Sequence, residues 1–386
     1  MPANLPPEAQ AAYARHLEAK TLEEKIRTLE EFLSLVPKHK GTEKLIALHR
    51  SRLVKLKKEL EKRQMARKGS GFSPFSIPKE GDAQIVLTGV RSSGKSALLS
   101  ALTNVKVEIG KPTIEPIQGI AVCCNGVQLQ MIEAPALFEG AGRGMGNGRQ
   151  ILGLIRNADL IAIIIDLTQD IEWQYNLLMN ELYNADIRLN VPPPPIEIER
   201  TGSGGILVFG AERYNIDPND IKEFLMESGI RNAVVRIFGK VELKDVIDCL
   251  DGSITYKKAI IVATKGDVPG TSKSYQNLLE LVDNKFKVIP TTAIKRKGLD
   301  DVLNESFRQL NLIRIWTKSD KGIADRPLVM KKGATVRDVA ERIHSTFVKY
   351  FKYAVIRRMN ERIPAKRVGL NYELKDGDVV QIVTYV

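Results

Sequence analysis

Three regimes of hydrophobic spacing divide the chain. In "LEEKIRTLEEFLSLV" the apolar residues Leu22, Ile26, Leu29, Phe32 and Leu33 recur at helical spacing and form one stripe. The spacing predicts helices from about Pro7 to Arg67, broken at Gly41, with Thr42 placed to cap the helix that follows. That helix, "EKLIALHRSRLVKLKKELEKRQMARK", sets apolar positions among many Lys and Arg. A solvated amphipathic hairpin and a basic arm on RNA share this pattern. "KGSGFSPFS" then reads as a linker.

From Ala83 to about Leu312 short apolar runs alternate with helical segments. "QIVLTG", "QLQMIEA", "LIAIIIDL", "AIIVATK" and "FKVIPTT" are hydrophobic enough for parallel strands buried on both faces. The alternation predicts a doubly wound α/β fold with a mostly parallel sheet. An interruption over 187–256 opens on the tetraproline of "NVPPPPIEIERTGSGGI" and then shows helix and strand signals, which predicts an inserted α+β subdomain. After another linker, "PLVMKKGATVRDVAERIHSTFVKYFKYAVIRR" predicts a strand, a helix capped near Thr335 and a second strand. "AKRVGLNYELKDGDVVQIVTY" adds short strands around the "KDGD" turn. The expected organisation is a helical region over 1–70, an α/β domain over 83–312 carrying the 187–256 insert, and a small mixed β domain over 326–386.

Composition narrows the class. Of the 386 residues 43% are hydrophobic, which supports a sizeable core and excludes wholesale disorder. "LIAIIIDLT" is the longest apolar run and is too short to span a bilayer. The N-terminus lacks the basic-then-apolar order of a signal peptide, so a cytoplasmic protein without a membrane partner is expected. Cys123, Cys124 and Cys249 form no CxxC pair and the four His are scattered, so neither a disulfide framework nor a zinc site is expected. A formal net charge of +12 favours an anionic partner, nucleic acid first.

"GVRSSGKS", Gly89 to Ser96, matches G-x-x-x-x-G-K-[ST] between an apolar strand and a helical stretch. Its glycines let backbone N–H groups close around phosphate oxygens at a helix N-terminus, so Gly89, Ser93, Gly94, Lys95, Ser96 and Ala97 are phosphate-binding candidates. Lys95 would reach the β- and γ-phosphates, and Ser96 would ligate Mg²⁺. "ATKGD" follows another buried strand and selects the base. Asp267 can accept two hydrogen bonds from the N1–H and N2–H₂ edge of guanine, a donor pair that adenine lacks. Lys265 would lay its stem over the base, Thr264 stands where Asn is usual, and Thr292 and Ala293 of "TTA" are placed for the guanine oxygen.

Two switch segments lie between. In "GKPTIEPIQG", Thr113 is a candidate ligand for Mg²⁺ and for the γ-phosphate. In "MIEAPALFEGAGRGMGNGRQ", Glu133 stands where an Asp usually holds Mg²⁺ through a water. Ala136 stands where a Gly offers its N–H to the γ-phosphate. The Cβ of Ala136 narrows its backbone choices. Leu137 leaves no Gln to orient an attacking water.

With these residues the chain resembles the DRG group of the Obg-like GTPases, the archaeal and eukaryotic developmentally regulated GTP-binding proteins. "EGAGRGMGNGRQIL", "RNADLIAIIIDLT" and "NADIRLNVPPPPIEIERTGSGGI" are similar to segments of that family in the same order, and "RVGLNYELKDGDVVQIV" is similar to its C-terminal TGS domain. The resemblance implies a P-loop GTPase domain with an N-terminal helical region, an inserted subdomain and a C-terminal β-grasp-like TGS domain. It also implies GTP or GDP as ligand with Mg²⁺, help from K⁺, and association with ribosomes and translation; a protein cofactor is a further candidate partner. Ser92 joins Lys95, Ser96, Thr113, Thr264, Lys265 and Asp267 in the nucleotide roles of the family. Arg91, Lys111, Pro112, Glu115, Glu133, Ala136 and Thr264 depart from the family pattern, around the γ-phosphate and the base edge.

The C-terminal segment carries Lys331, Lys332, Arg357, Arg358, Arg362, Lys366 and Arg367 as RNA-binding candidates. Tyr350, Phe351 and Tyr353 lie among them and suit base stacking, although at least two of the three are expected to fill the small domain's core. Two functional readings follow. One is a ribosome-docked GTP-binding protein that hydrolyses GTP slowly. The other is a non-enzymatic ribosome- or RNA-binding protein that holds GTP or GDP as a structural element.

Overall fold

The computed structural model describes residues 6–19, 22–37, 49–50, 52–54, 56–57, 74–214, 216–241, 245–246, 249, 254–319, 322–358 and 365–385. Two helices open the chain, α1 (Pro7–Glu18) and α2 (Leu22–Leu35). The stripe predicted for α2 is the face that packs, because Leu29 and Phe32 are buried with Ala9 and Ala12 of α1. Tyr13 stacks at a tilt on Phe32, with ring centres 5.1 Å apart. The predicted cap at Thr42 lies outside the described residues. So does most of the long basic helix, whose described residues 49–50, 52–54 and 56–57 are helical.

The strands that read as wholly apolar do form one parallel sheet. In chain order they are β1 (Ala83–Gly89), β3 (Val127–Glu133), β4 (Leu160–Asp166), β9 (Thr255–Thr264) and β10 (Lys287–Pro290). With β2 (Ile117–Cys123), the order is β10-β9-β4-β1-β3-β2. Only β2 runs antiparallel, as the partner of β3 in a hairpin. Both faces of the sheet are covered, which is why β1 and β4 carry no polar alternation. Ile161, Ile163 and Ile165 of β4 face a layer built from α4 (Gly148–Asn157), α5 (Ile171–Asn184) and α7 (Thr271–Val282). Leu160, Ala162 and Ile164 face α3 (Lys95–Leu102) and α8 (Leu299–Gln309). Truncating one of these fully buried isoleucines to Ala costs about 2–5 kcal/mol. Among the described residues no helix is long and apolar enough to cross a membrane.

The inserted segment is narrower than its sequence bounds. Short strand β5 (Ile187–Leu189) pairs in parallel with Thr255 to Lys257 of β9, so both ends of the 187–256 interval belong to the main sheet. The chain between them groups Glu197–Phe238 with residues 1–73 as a second compact unit. Its small sheet has β8 (Ala233–Ile237) between β6 (Ile196–Arg200) and β7 (Ile206–Phe209). Helix α6 (Pro218–Glu227) starts on Asp217, whose carboxylate accepts from the N–H of Asn219 at 2.8 Å.

The C-terminal sheet also departs from the sequence bounds. The stretch after 312 reads as a linker, yet it holds β11 (Leu312–Ser319), a central strand. β11 runs parallel to β16 (Asp378–Thr384), while β14 (Phe351–Arg358) pairs antiparallel with β16 and with β15 (Lys366–Val368). β13 (Leu328–Lys331) and the short β12 (Gly322–Ile323) pair with the other side of β11. Periodicity missed β11 because it follows α8 after only two residues, with no Gly or Pro between them. Across one face lies α9 (Val336–Ile343), followed by the single turn α10 (Ser345–Lys349). Thr335 and Asp338 form the capping box of α9, and Val336 and Val339 bury against Ile315, Ile356 and Val380.

This sheet is fastened to the β2–β3 hairpin. Arg314 forks onto the Asp376 carboxylate and donates a further N–H to the carbonyl of Cys124 at 3.0 Å. Arg326 donates to Asp82 at 2.9 Å, and Asp82 also accepts from the N–H of Gln128.

Candidate nucleotide-binding site

Between β1 and α3 the chain makes two left-handed turns, at Ser92 (φ 61°) and Gly94 (φ 91°). Such a loop forms the kind of concavity that binds anions through backbone N–H groups, here at the start of α3. Gly89 has no room for a side chain, since a Cβ would lie 2.7 Å from the carbonyl oxygen of Ile164. Lys95 is buried and donates to the carbonyls of Val90 at 2.7 Å and Gly89 at 3.2 Å. Burial pulls its ammonium down to about 8, an effect partly offset by the nearby Glu133 carboxylate.

One cavity of about 460 Å³ gathers nearly all the nucleotide-site candidates: Ser92, Ser93, Gly94, Lys95, Ser96, Ala97, Thr113, Glu133, Ala136, Thr264, Lys265, Asp267, Thr292 and Ala293. Gly89 stands behind it, its carbonyl accepting from Lys95 and from the N–H of Leu137.

At the phosphate end, Glu133 closes β3 and is 1% exposed. The hydroxyls of Ser96 and Thr113 both donate to its Oε1, at 2.7 and 2.6 Å. Its Oε2 is buried without a hydrogen-bond partner among the described residues. Two hydroxyl oxygens and a buried carboxylate at one point make a hard oxygen donor set, which fits a small divalent cation. Ala136 is half-buried and outside the left-handed backbone region, so its Cβ brings no strain in this conformation. Leu137 is buried and directs no polar group at the cavity.

At the other end Thr264 differs from expectation. It lines the cavity, but its hydroxyl lies 2.7 Å from the carbonyl oxygen of Ser93 and 3.2 Å from that of Ile165. A hydroxyl has one proton to donate, so Thr264 ties the loop after β9 to the phosphate loop and leaves the base edge to Asp267. The Thr292 hydroxyl beside Asp267 holds its carboxyl below the usual carboxylate range, and Lys295 at 3.8 Å adds to this. Lys265 has a left-handed backbone (φ 60°) and pairs its Nζ with the buried Asp166 at the end of β4. Asp166 also accepts from the N–H and hydroxyl of Thr168 and from Gln169.

Three residues of this framework escaped sequence reasoning. Asp166 left a faint signal, a charge closing an apolar run. Lys295 and Glu181 left none. Glu181, buried on α5, accepts the N–H of Gly140 at 2.9 Å and of Gly142 at 2.6 Å, and so anchors the glycine-rich tail of the second switch.

The basic candidates do not converge. Lys331 and Lys332 are exposed at the β13 edge of the C-terminal sheet, while Lys366 and Arg367 are exposed on β15 at the opposite edge. Four strand spacings of about 4.8 Å separate those edges. Arg357 is exposed at the end of β14; Arg358 beside it lies 3.5 Å from the Asp378 carboxylate. Arg362 lies outside the described residues. Of the three aromatics only Phe351 packs on the core. Tyr353 lies under Arg367 at 4.8 Å, on the face of β14 opposite Ala354 and Ile356, and Tyr350, which precedes the strand, is 47% exposed.

Comparison with known proteins agrees with this geometry. The family model described as a 50S ribosome-binding GTPase matches residues 84–192, that of the C-terminal region of the same GTPase domain matches 203–312, and that of the TGS domain matches 313–384. An uncharacterised GTP-binding protein of Methanocaldococcus jannaschii is 35% identical over 94% of this chain and 93% of its own length. Developmentally-regulated GTP-binding protein 1 of Xenopus laevis is 32% identical over 93% and 98%. The YchF GTPase structure of Schizosaccharomyces pombe shares the fold, with a TM-score of 0.50 at 15% identity over 79% of this chain and 99% of that one. The chain belongs to the DRG group of Obg-like GTPases, a P-loop GTPase fold that carries an insert and ends in a TGS domain.

Proposed function

We propose that the protein binds GTP and GDP with Mg²⁺, hydrolyses GTP slowly, and acts at the ribosome. The observation that carries this reading is the single cavity in which the Gly94–Lys95 turn, Glu133 and Asp267 face one another. The phosphates sit at the start of α3, where free N–H groups and Lys95 meet their charge. Ser96, Thr113 and Glu133 would hold the metal, which would supply positive charge against that building on the phosphates. Asp267, kept ionised by its neighbours, accepts the two donors of the guanine edge. Thr292 and Ala293 face the guanine oxygen, and the stem of Lys265 lies over the base.

Slow hydrolysis follows from Leu137, a buried side chain where an attacking water needs a polar group. The same residue favours a second reading, in which nucleotide is held and not turned over. A multiple-turnover assay in K⁺ with ribosomes present separates the two. Turnover that is lost in Lys95→Ala supports the GTPase, and no turnover under any condition supports the second reading.

The ribosomal part rests on the net charge of +12 and on basic side chains at both edges of the C-terminal sheet. Contacts with RNA phosphates must weaken steeply as salt rises. Co-sedimentation with ribosomes over a salt series is expected to show that loss. Absence of co-sedimentation at low salt, with either nucleotide, contradicts this part.

A further inference from the structure

We propose that Glu133 binds the magnesium ion directly through its own carboxylate oxygen, where an Asp at this position of the switch acts through a water. The inference rests on the guanine-nucleotide reading above and concerns how that site holds its metal.

The first support is spacing. Adjacent ligands of an octahedral Mg²⁺ with bonds of about 2.1 Å lie about 3.0 Å apart. Glu133 Oε1 already stands 2.7 Å from Ser96 Oγ and 2.6 Å from Thr113 Oγ1. One carboxylate oxygen therefore stands beside both hydroxyl oxygens at close to the spacing of adjacent ligands. Each hydroxyl spends its proton on that oxygen and keeps lone pairs for a metal.

The second support is the other oxygen. Glu133 is 1% exposed and its Oε2 has no hydrogen-bond partner among the described residues. The nearby Lys95 ammonium donates to the carbonyls of Gly89 and Val90, so Oε2 itself stays open to a second cation. The third is that its backbone is fixed. Glu133 sits opposite Leu87 of β1 on one side and Ile117 of β2 on the other. The additional methylene of Glu, relative to Asp, carries the carboxylate further into the gap that a water otherwise fills.

The test counts waters on the metal in the full-length protein, with Mn²⁺ and GDP as probes. ¹⁷O-enriched water broadens the Mn²⁺ electron paramagnetic resonance lines in proportion to the number of bound waters. Ser96, Thr113, one phosphate oxygen and Glu133 leave about two waters on an octahedral ion, whereas a carboxylate acting through water leaves about three. The expected result is about two for the wild type and one more for Glu133→Asp. If Glu133→Asp does not fold, the wild-type count still decides. A wild-type count of about three overturns the direct ligand and leaves guanine-nucleotide binding standing. No protein-bound Mn²⁺·GDP spectrum at all overturns the nucleotide reading, and the inference with it.

Discussion

The hydroxyl of Thr264 donates to the carbonyl of Ser93 at 2.7 Å, so the loop placed for the base is fastened to the loop placed for the phosphates. The bond is buried and crosses 171 residues of sequence. It makes the two halves of the site one object.

Thr264→Val removes the hydroxyl at nearly constant shape and leaves the buried carbonyl of Ser93 without its donor. The loss of about 1–3 kcal/mol corresponds to roughly tenfold or weaker GDP binding. Isothermal titration is expected to show that drop with the preference for GDP over ADP intact, because Asp267 is untouched. Unchanged GDP affinity contradicts the tie.

Asp267→Asn exchanges an acceptor for a donor on the base edge. Hydrogen bonds to charged groups contribute about 1.5–3 kcal/mol each, so GDP affinity is expected to fall by tenfold or more. Xanthosine diphosphate, which presents an oxygen where guanine has its amino group, is expected to gain in the same titration. In the wild type, the lowered carboxyl of Asp267 keeps its charge as pH falls from 8 to 5, so its contribution to GDP binding stays flat over that range.

Lys95 gives a pH dependence of known sign. Burial lowers it from 10.5 to about 8 in the folded chain. Between those values the unfolded chain binds more protons than the folded one, so stability rises with pH across that window. The rise from pH 7 to 9 is on the order of 1 kcal/mol for one such group. Urea unfolding of the nucleotide-free protein is expected to show it, and Lys95→Met is expected to lack it. Parallel pH profiles for the two proteins contradict the assignment.

Sequence legibility followed the range of the interactions. Gly94, Lys95 and Ser96 were readable because one turn and one helix start set their roles within eight residues. The apolar runs of β1, β4 and β9 were readable because burial on both faces leaves a local trace. Glu133 could be placed in the second switch by order along the chain. Its shared bonds with Ser96 and Thr113 could not, since they depend on how three strands and a loop meet. Thr264 was expected at the base because a substitution at that position suggests a weaker copy of Asn. The fold instead turns its hydroxyl toward Ser93. β11 was lost for want of a turn residue after α8, and the split of Lys331 from Lys366 across the C-terminal sheet is a matter of strand order that composition does not carry.

Glu181 offers a test of the second switch. Its carboxylate holds the N–H groups of Gly140 and Gly142. Glu181→Ala leaves both donors without that acceptor, at a cost of about 1–3 kcal/mol for each one that stays buried. Hydrogen exchange over residues 138–148 is expected to speed up by tenfold or more, with the sheet amides of β1 and β4 unchanged. Equal exchange in the two proteins contradicts the anchor.

The central claim is that one cavity reads a guanine nucleotide from base to phosphate, and titration with mant-GTP and mant-ATP in the presence of Mg²⁺ tests it most directly. Saturable binding of mant-GTP, at least a hundredfold tighter than mant-ATP and lost in Lys95→Ala, is the result expected. Equal affinity for the two nucleotides, or binding of neither, contradicts it.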